Sequence, residues 1–347
     1  MKSNFFVKRK FKFVKLILES QPSNSVRLSL SALLKINSVE AATKNLIILV
    51  CFISFTSCKD YFKNDYTDNS PTSGKLKVYY DEGLQLHLEN HIYTFESFYT
   101  NADIQPYQIS ENEAVQALYN DSCKAIVISR MLNETEKKAF ESKKYFPKYS
   151  AVAKSGVALI TNVNTQIANL TYEQVIDLLT KPFVCKDSIS NDTKLNVLID
   201  KKNSAVMHYL LDSVLKGKPF SSNCNVLNSS IESINYVAKN KNTIAFIDFA
   251  WLSDVDDSIY KANKNLVKFI AISKPNSTAF ELPSQSSFKL NTYPFTRTIY
   301  VYRNTADFSL AKGFETFVAG PKGQNTFLKQ GLLPMHQQER SVTITTK

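Results

Sequence analysis

The sequence predicts an α/β protein built from two lobes, and three observations carry that prediction. Short β-rich runs alternate with amphipathic helical stretches from Lys75 almost to the C-terminus, the pattern of largely parallel sheets with crossover helices. The length of 347 residues accommodates one large domain or two ordinary ones. The segment 276–295, rich in Pro, Ser and Thr, offers a crossing between two such units. An apolar content of 44% excludes a wholly disordered chain and a polytopic membrane protein. With only 8 glycines, a glycine-dense phosphate-cradling loop is not expected to dominate.

Each element has a local cause. KLKVYY (75–80) reads as a strand, and the helix after it carries Leu84, Leu88, Ile92, Phe95 and Tyr99 on one stripe. Ser110-Glu111-Asn112-Glu113 is a capping box that opens a short helix with Val115 and Leu118. KAIVIS (124–129) is a strand, and Asn133-Glu134-Thr135-Glu136 caps the next helix. AVAKSGVALITN (151–162) is apolar and extended. Thr171-Tyr172-Glu173-Gln174 is a further capping box, followed by Val175, Ile176, Leu178 and Leu179. KLNVLID (194–200) is a strand, and the helix after it starts at Asn203 or Ser204 and stops at Gly217. SSIESINYVAKN is a helix, while NTIAFIDF and TRTIYVYR (296–303) are strands. FSLAKGFETFVAG and KGQNTFLKQ form two last helices, closed by Gly331.

The N-terminal region has a different character. Residues 1–57 hold nine Lys/Arg and two acids, so +7 of the net charge of +11 lies there. The remaining 33 bases and 29 acids are well mixed, which gives no reason to expect a nucleic-acid partner. Leu46 to Ser57 has the length of a signal-peptide core and falls short of the roughly 20 apolar residues of a membrane span. It ends in Phe55-Thr56-Ser57-Cys58, small residues directly before a cysteine, which resembles the lipobox of bacterial lipoproteins. That resemblance implies that Cys58 is lipidated, becomes the first residue of the mature chain, and anchors it to a membrane through its acyl chains. Residues 1–57 are therefore expected to be a leader and 58–74 a polar tether. A leader of that length is unusual, so the true start is expected downstream of Met1, near residue 42.

Residues that point to chemistry are sparse. There is no GxSxG, Walker or GxGxxG pattern, so a binder is expected rather than an enzyme, with no cofactor. His87 and His91 lie four apart but do not form HExxH, and a solvated helix face explains them better than a metal. His208 lies in an apolar stripe and is expected to be packed or half-exposed. The five cysteines contain no CxxC. Cys185 and Cys224 could pair in an exported protein; two free thiols, or a pair with Cys123, are the alternatives. The informative places are the strand-to-helix junctions, because ligands of open α/β sheets collect beyond the C-terminal strand ends. Asp81, Glu82 and Gly83 occupy one junction, Ser129 and Arg130 a second, and Asp200, Asn203 and Ser204 a third.

Several longer segments resemble, in order, the phosphate-type substrate-binding proteins of ABC transporters, in their divergent Bacteroidetes lipoprotein form. They are ENEAVQALYNDSCKAIVISRMLNETEKKAF, AVAKSGVALITNVNTQIANLTYEQVIDLLT, SIESINYVAKNKNTIAFIDFAWLSD and KGFETFVAGPKGQNTFLKQGLLPM. The resemblance covers roughly 75–340. It implies a type II periplasmic-binding-protein fold, with two α/β lobes joined by a hinge around an interlobe cleft. The lobes would comprise 75–155 with 275–347, and 156–274. By position, Ser129 and Arg130 would hold the ligand from the first lobe, and Asn203, Ser204 and Ala205 from the second. Asp81, Glu82 and Gly83 would line the first lobe's mouth.

This chain departs from the family at those places. The family's second-lobe loop reads R-S-D-G-S-G-T, against Ile199-Asp200-Lys201-Lys202-Asn203-Ser204-Ala205 here. Arg130 replaces the family's first-lobe carboxylate, and Asp81-Glu82-Gly83 a turn rich in Ser and Thr. The implied role is that of a periplasmic or cell-surface lipoprotein, a monomer, that binds phosphate or a similar small anion and delivers it to an ABC permease. The departures leave a second expectation open, a sensor or interaction lipoprotein that kept the fold and lost phosphate. A surface hydrolase is a third, disfavoured by the missing nucleophile–base motif.

Overall fold

The structure is a computed structural model and describes residues 69–181, 184–185 and 193–336; the side chains of 184, 185, 193 and 194 lie outside the description. The expected leader 1–57, most of the expected tether and Cys58 therefore lie outside the described residues, as does the side chain of Cys185. Cys224 carries a free thiol directed at the Leu179 carbonyl, 3.6 Å away.

Among the described residues, fifteen strands and ten α-helices follow one another in the alternation expected. The strands are β1 (Gly74–Tyr80), β2 (Ala102–Gln108), β3 (Ala125–Ile128), β4 (Lys148–Asn162), β5 (Asn169–Leu170), β6 (Val184–Cys185), β7 (Thr193–Lys194) and β8 (Asn196–Ile199). They continue as β9 (Cys224–Val226), β10 (Thr243–Asp248), β11 (Val267–Phe269), β12 (Ala271–Ser273), β13 (Phe280–Glu281), β14 (Thr296–Arg303) and β15 (Leu333–Pro334). The helices are α1 (Gln85–Phe98), α2 (Glu111–Tyr119), α3 (Glu134–Ser142), α4 (Tyr172–Thr180) and α5 (Ala205–Tyr209). They continue as α6 (Ser230–Lys239), α7 (Ser258–Asn263), α8 (Gln285–Lys289), α9 (Leu310–Ala319) and α10 (Pro321–Lys329). No helix among the described residues is long and apolar enough to cross a membrane.

Ten strands form one sheet, ordered β2-β1-β3-β14-β4-β10-β8-β9, with β11 and β15 also on β4. The 15-residue β4 joins its two halves. Lys148–Gly156 pairs antiparallel with β14, and Val157–Thr161 pairs antiparallel with β10. Within each half the strands next to the junction helices are parallel, β1 with β3 and β8 with β10, so their C-terminal ends point the same way. Ala158, Leu159 and Ile160 of β4 are fully buried, as its near-continuous apolar run requires of a strand covered on both faces.

Local signals set the helix starts. The capping boxes at Ser110, Asn133 and Thr171 are all formed, each with the N3 side chain returning to the N-cap backbone. One expectation fails. His87 and His91 are not on a solvated face; both are 1% exposed. They stand one turn apart within the same stripe as Leu84, Leu88 and Ile92, and α10 covers that stripe. His91 lies 4.1 Å from the Phe327 ring and its Nε2 is 3.0 Å from the Gly323 carbonyl.

Candidate functional site

Three junctions predicted from sequence meet across the two halves of the sheet. After β1, Asp81 accepts from the Gly83 N–H at 3.0 Å through Oδ1. Its Oδ2 accepts from the Ala205 N–H at 3.2 Å, which belongs to the helix after β8. Glu82 faces Lys201 at 3.1 Å, an ion pair without hydrogen-bond geometry. Asp81 and Glu82 of one half thus hold the 200–205 loop of the other. Gly83 fits because a Cβ there would lie 2.8 Å from an Asp248 carboxylate oxygen.

The loop after β8 is built around Asp200. Its Oδ1 accepts from the Lys201 N–H and from the Ser204 hydroxyl, and Ser204 caps α5 by accepting from the Met207 N–H. Asn203, expected to hold the ligand, is exposed and sits at φ 58°, where its short polar side chain tolerates the left-handed turn. Ala205 N–H is already satisfied by Asp81. An internal carboxylate therefore stands where the sequence placed the ligand's contact with that loop.

A cavity of about 350 Å³ opens beside these contacts. Ser129, Arg130 and Arg297 line it from the first half of the sheet, and Ala205, His208 and Tyr209 from the second. Of the residues named from sequence, Ser129, Arg130 and Ala205 reach this cavity. Asp81, Glu82, Asn203 and Ser204 act beside it.

The two arginines in the wall differ. Arg130 grips Glu136 with both Nη atoms at 2.8 Å and donates to Asn112 at 2.9 Å and to the Met131 carbonyl at 3.1 Å. Its Nε lies 3.3 Å from Glu111. Arg297 was not singled out by sequence. It is 4% exposed, and its Nη2 donates to Asp248 at the C-terminal end of β10. Among the described residues its Nε is buried without a partner, and its guanidinium lies 5.7 Å from the centre of the Tyr209 ring. Ser129 repeats the pattern: its N–H donates to Glu111, and its Oγ is buried with no partner among the described residues.

The charge balance follows from burial. Asp81, Glu111, Asp200 and Asp248 are each 3% exposed or less. Burial pushes the Asp81 carboxyl up to about 8, with the Glu111 charge adding to it, and pushes Asp200 up to about 7. Desolvation acts against the Arg297 charge as well, but Asp248, Glu111 and Asp81 more than offset it and keep the guanidinium ionised. At neutral pH part of the carboxyl wall is thus protonated while Arg297 stays positive. Such a site can hold an anion through Arg297 and a hydroxyl donor. It shows no nucleophile–base pair, and no group of three or more metal-ligating side chains occurs among the described residues.

The comparisons agree with this architecture. A family model described as the PBP superfamily domain matches residues 70–322. A phosphate-binding protein PstS of Pseudomonas aeruginosa is 24% identical over 289 residues, spanning 78% of this chain and 86% of that protein. A Clostridium perfringens protein crystallised with bound phosphate superposes with a TM-score of 0.64 at 19% identity, over 76% of this chain and all of that one. An ABC-type phosphate transport receptor from Vibrio cholerae gives 0.58 at 16% identity, over 75% of this chain and all of the other.

Proposed function

The chain belongs to the PBP superfamily, with the type II periplasmic-binding-protein fold, and from that premise we propose that it is an extracytoplasmic solute-binding protein of an ABC-type uptake system. It holds phosphate or a similar small anion in the cavity between the two halves of its sheet. The halves act as lobes, 75–155 with 275–347 against 156–274, which close by a hinge in β4 and the returning segment. Cys58 carries the lipid that keeps the protein at the membrane. No covalent chemistry is involved.

The observation that carries the reading is that Arg297 Nε and Ser129 Oγ, both buried and without partners among the described residues, belong to residues lining the same cavity. A buried donor left unsatisfied costs about 1–3 kcal/mol, so a pair of them lining one cavity indicates a group that arrives from outside. Arg297 supplies from β14 the guanidinium that the 199–205 loop lacks. The names of the relatives point to phosphate. The test is calorimetric titration of the purified protein with phosphate at low salt, with sulfate as control. Micromolar or tighter phosphate binding is expected.

The second reading, a sensor or interaction lipoprotein that has lost phosphate, is favoured by one observation: Asp81 already satisfies the Ala205 N–H. No heat with either anion would turn the assignment to it.

A further inference from the structure

The cavity is large for the ligand that its relatives bind. At about 350 Å³ it has room for roughly a dozen waters at about 30 Å³ each, whereas a tetrahedral oxyanion has five heavy atoms. The unpartnered guanidinium and hydroxyl groups lie on one side only, at Arg297 and Ser129. These two residues lie in or directly after adjacent strands: Ile128, next to Ser129, pairs with Tyr300 on β14, and Arg297 shares a face of that strand with Ile299 and Val301. An anion held there leaves most of the cavity empty.

The rest of the lining is polar in a different way. Asn112 accepts from Arg130 and Asn133 from the Glu136 N–H, each through Oδ1, and the amide NH₂ groups of these two exposed residues have no hydrogen-bond partner among the described residues. On the opposite wall, His208 Nδ1 is buried and unpartnered. Tyr209 presents its ring beside Arg297, and Asp212 brings an exposed carboxylate one turn further on. The helix there changes from α to π over Leu210–Val214, a local irregularity frequent at functional sites. Amide donors, an imidazole nitrogen, a carboxylate acceptor and an aromatic face are the groups that recognise a hydroxylated carbon skeleton.

We infer that the ligand is an organic phosphate with a hydroxylated substituent, a polyol or sugar phosphate, rather than a bare inorganic anion. Its phosphate sits between Ser129 Oγ and Arg297 Nε. Its carbon skeleton lies along Tyr209, and its hydroxyls meet the Asn112 and Asn133 amides and the Asp212 carboxylate. This rests on the proposed anion-binding reading of the same cavity.

The test is calorimetric titration of the purified protein with glucose 6-phosphate, glycerol 3-phosphate, inorganic phosphate and glucose, in separate runs. At least one organic phosphate is expected to bind tenfold or more tightly than inorganic phosphate, and glucose alone weakly. Asp212→Ala, at an exposed position, should narrow that ratio toward one. Inorganic phosphate binding as tightly as either organic phosphate would overturn the inference and leave the anion-binding reading standing. No heat from any phosphate would overturn both. Glucose binding as tightly as glucose 6-phosphate would overturn the placing of a phosphate at Ser129 and Arg297.

Discussion

Arg130 and Arg297 line the same cavity from neighbouring parts of one half-sheet, and they differ in how their donors are engaged. Arg130 follows β3 and is tied to Glu136, Glu111, Asn112 and a carbonyl. Arg297 lies in β14, meets Asp248, and keeps a buried N–H free. The difference teaches that the residue type at a strand end does not identify a ligand contact. An arginine whose neighbours already saturate it supports the wall, and one held from a single side can take a ligand on the other. The sequence favoured Arg130 because it stands at a junction, whereas the geometry favours Arg297.

Removing Arg297 tests the comparison hardest. Arg297→Ala leaves Asp248 buried without its cation, a loss of about 3–5 kcal/mol in unfolding free energy, and should abolish anion binding. Since that variant can fail to fold, Arg297→Lys is the companion. It retains a charge near Asp248 but loses the planar fork and the Nε donor. A folded Arg297→Lys protein that binds phosphate with unchanged affinity in calorimetry would break the assignment.

Why one arginine was legible and the other was not is a matter of range. The capping boxes at 110–113, 133–136 and 171–174 are local, four residues long, and legible directly. The strand at 75–80 and the Leu84–Phe95 stripe follow from periodicity. The strand β2 carries no such signal, because ADIQPYQ is largely polar and interrupted by Pro106, which its edge position tolerates. Arg297 depends on Asp248, 49 residues earlier, and no local rule links them. The one available hint was phase: in TRTIYVYR it shares the buried face with Ile299 and Val301, where a charge requires a partner. The buried His87 and His91 were misread for a similar reason, since the covering helix α10 lies more than 200 residues away.

Asp81 and Asp200, whose carboxyls feel the Arg297 charge, give the site a pH signature. The folded Asp81 carboxyl keeps its proton up to about pH 8, while the unfolded one releases it near pH 3.8. Between those values the folded state binds more protons, so stability falls as pH rises, by about 1.4 kcal/mol per pH unit for this group. Asp200, raised to about 7, adds in the same direction. Urea midpoints measured from pH 5 to 8 should fall, and Asp81→Asn should flatten the curve. A midpoint that rises over that range would remove Asp81 from the protonated wall.

Arg130→Ala sharpens the contrast from the other side. It frees one oxygen of the buried Glu111, so stability should drop by about 1–3 kcal/mol, while phosphate affinity should change by less than about threefold. An affinity loss as large as that of Arg297→Lys would make the two arginines equivalent.

Ser129→Ala is the smallest and cleanest change. The Ser129 N–H, not its side chain, holds Glu111, so the fold keeps its bond when the hydroxyl is removed. Because Ser129 Oγ is buried and has no partner among the described residues, its removal costs the ligand-free protein nothing and relieves a desolvated donor. Unfolding free energy should therefore stay level or rise slightly. Anion affinity should fall by roughly tenfold, the value of about 1.4 kcal/mol expected for one charge-assisted hydrogen bond. The opposite pairing, lower stability with unchanged affinity, would mean that the hydroxyl serves the fold rather than the ligand.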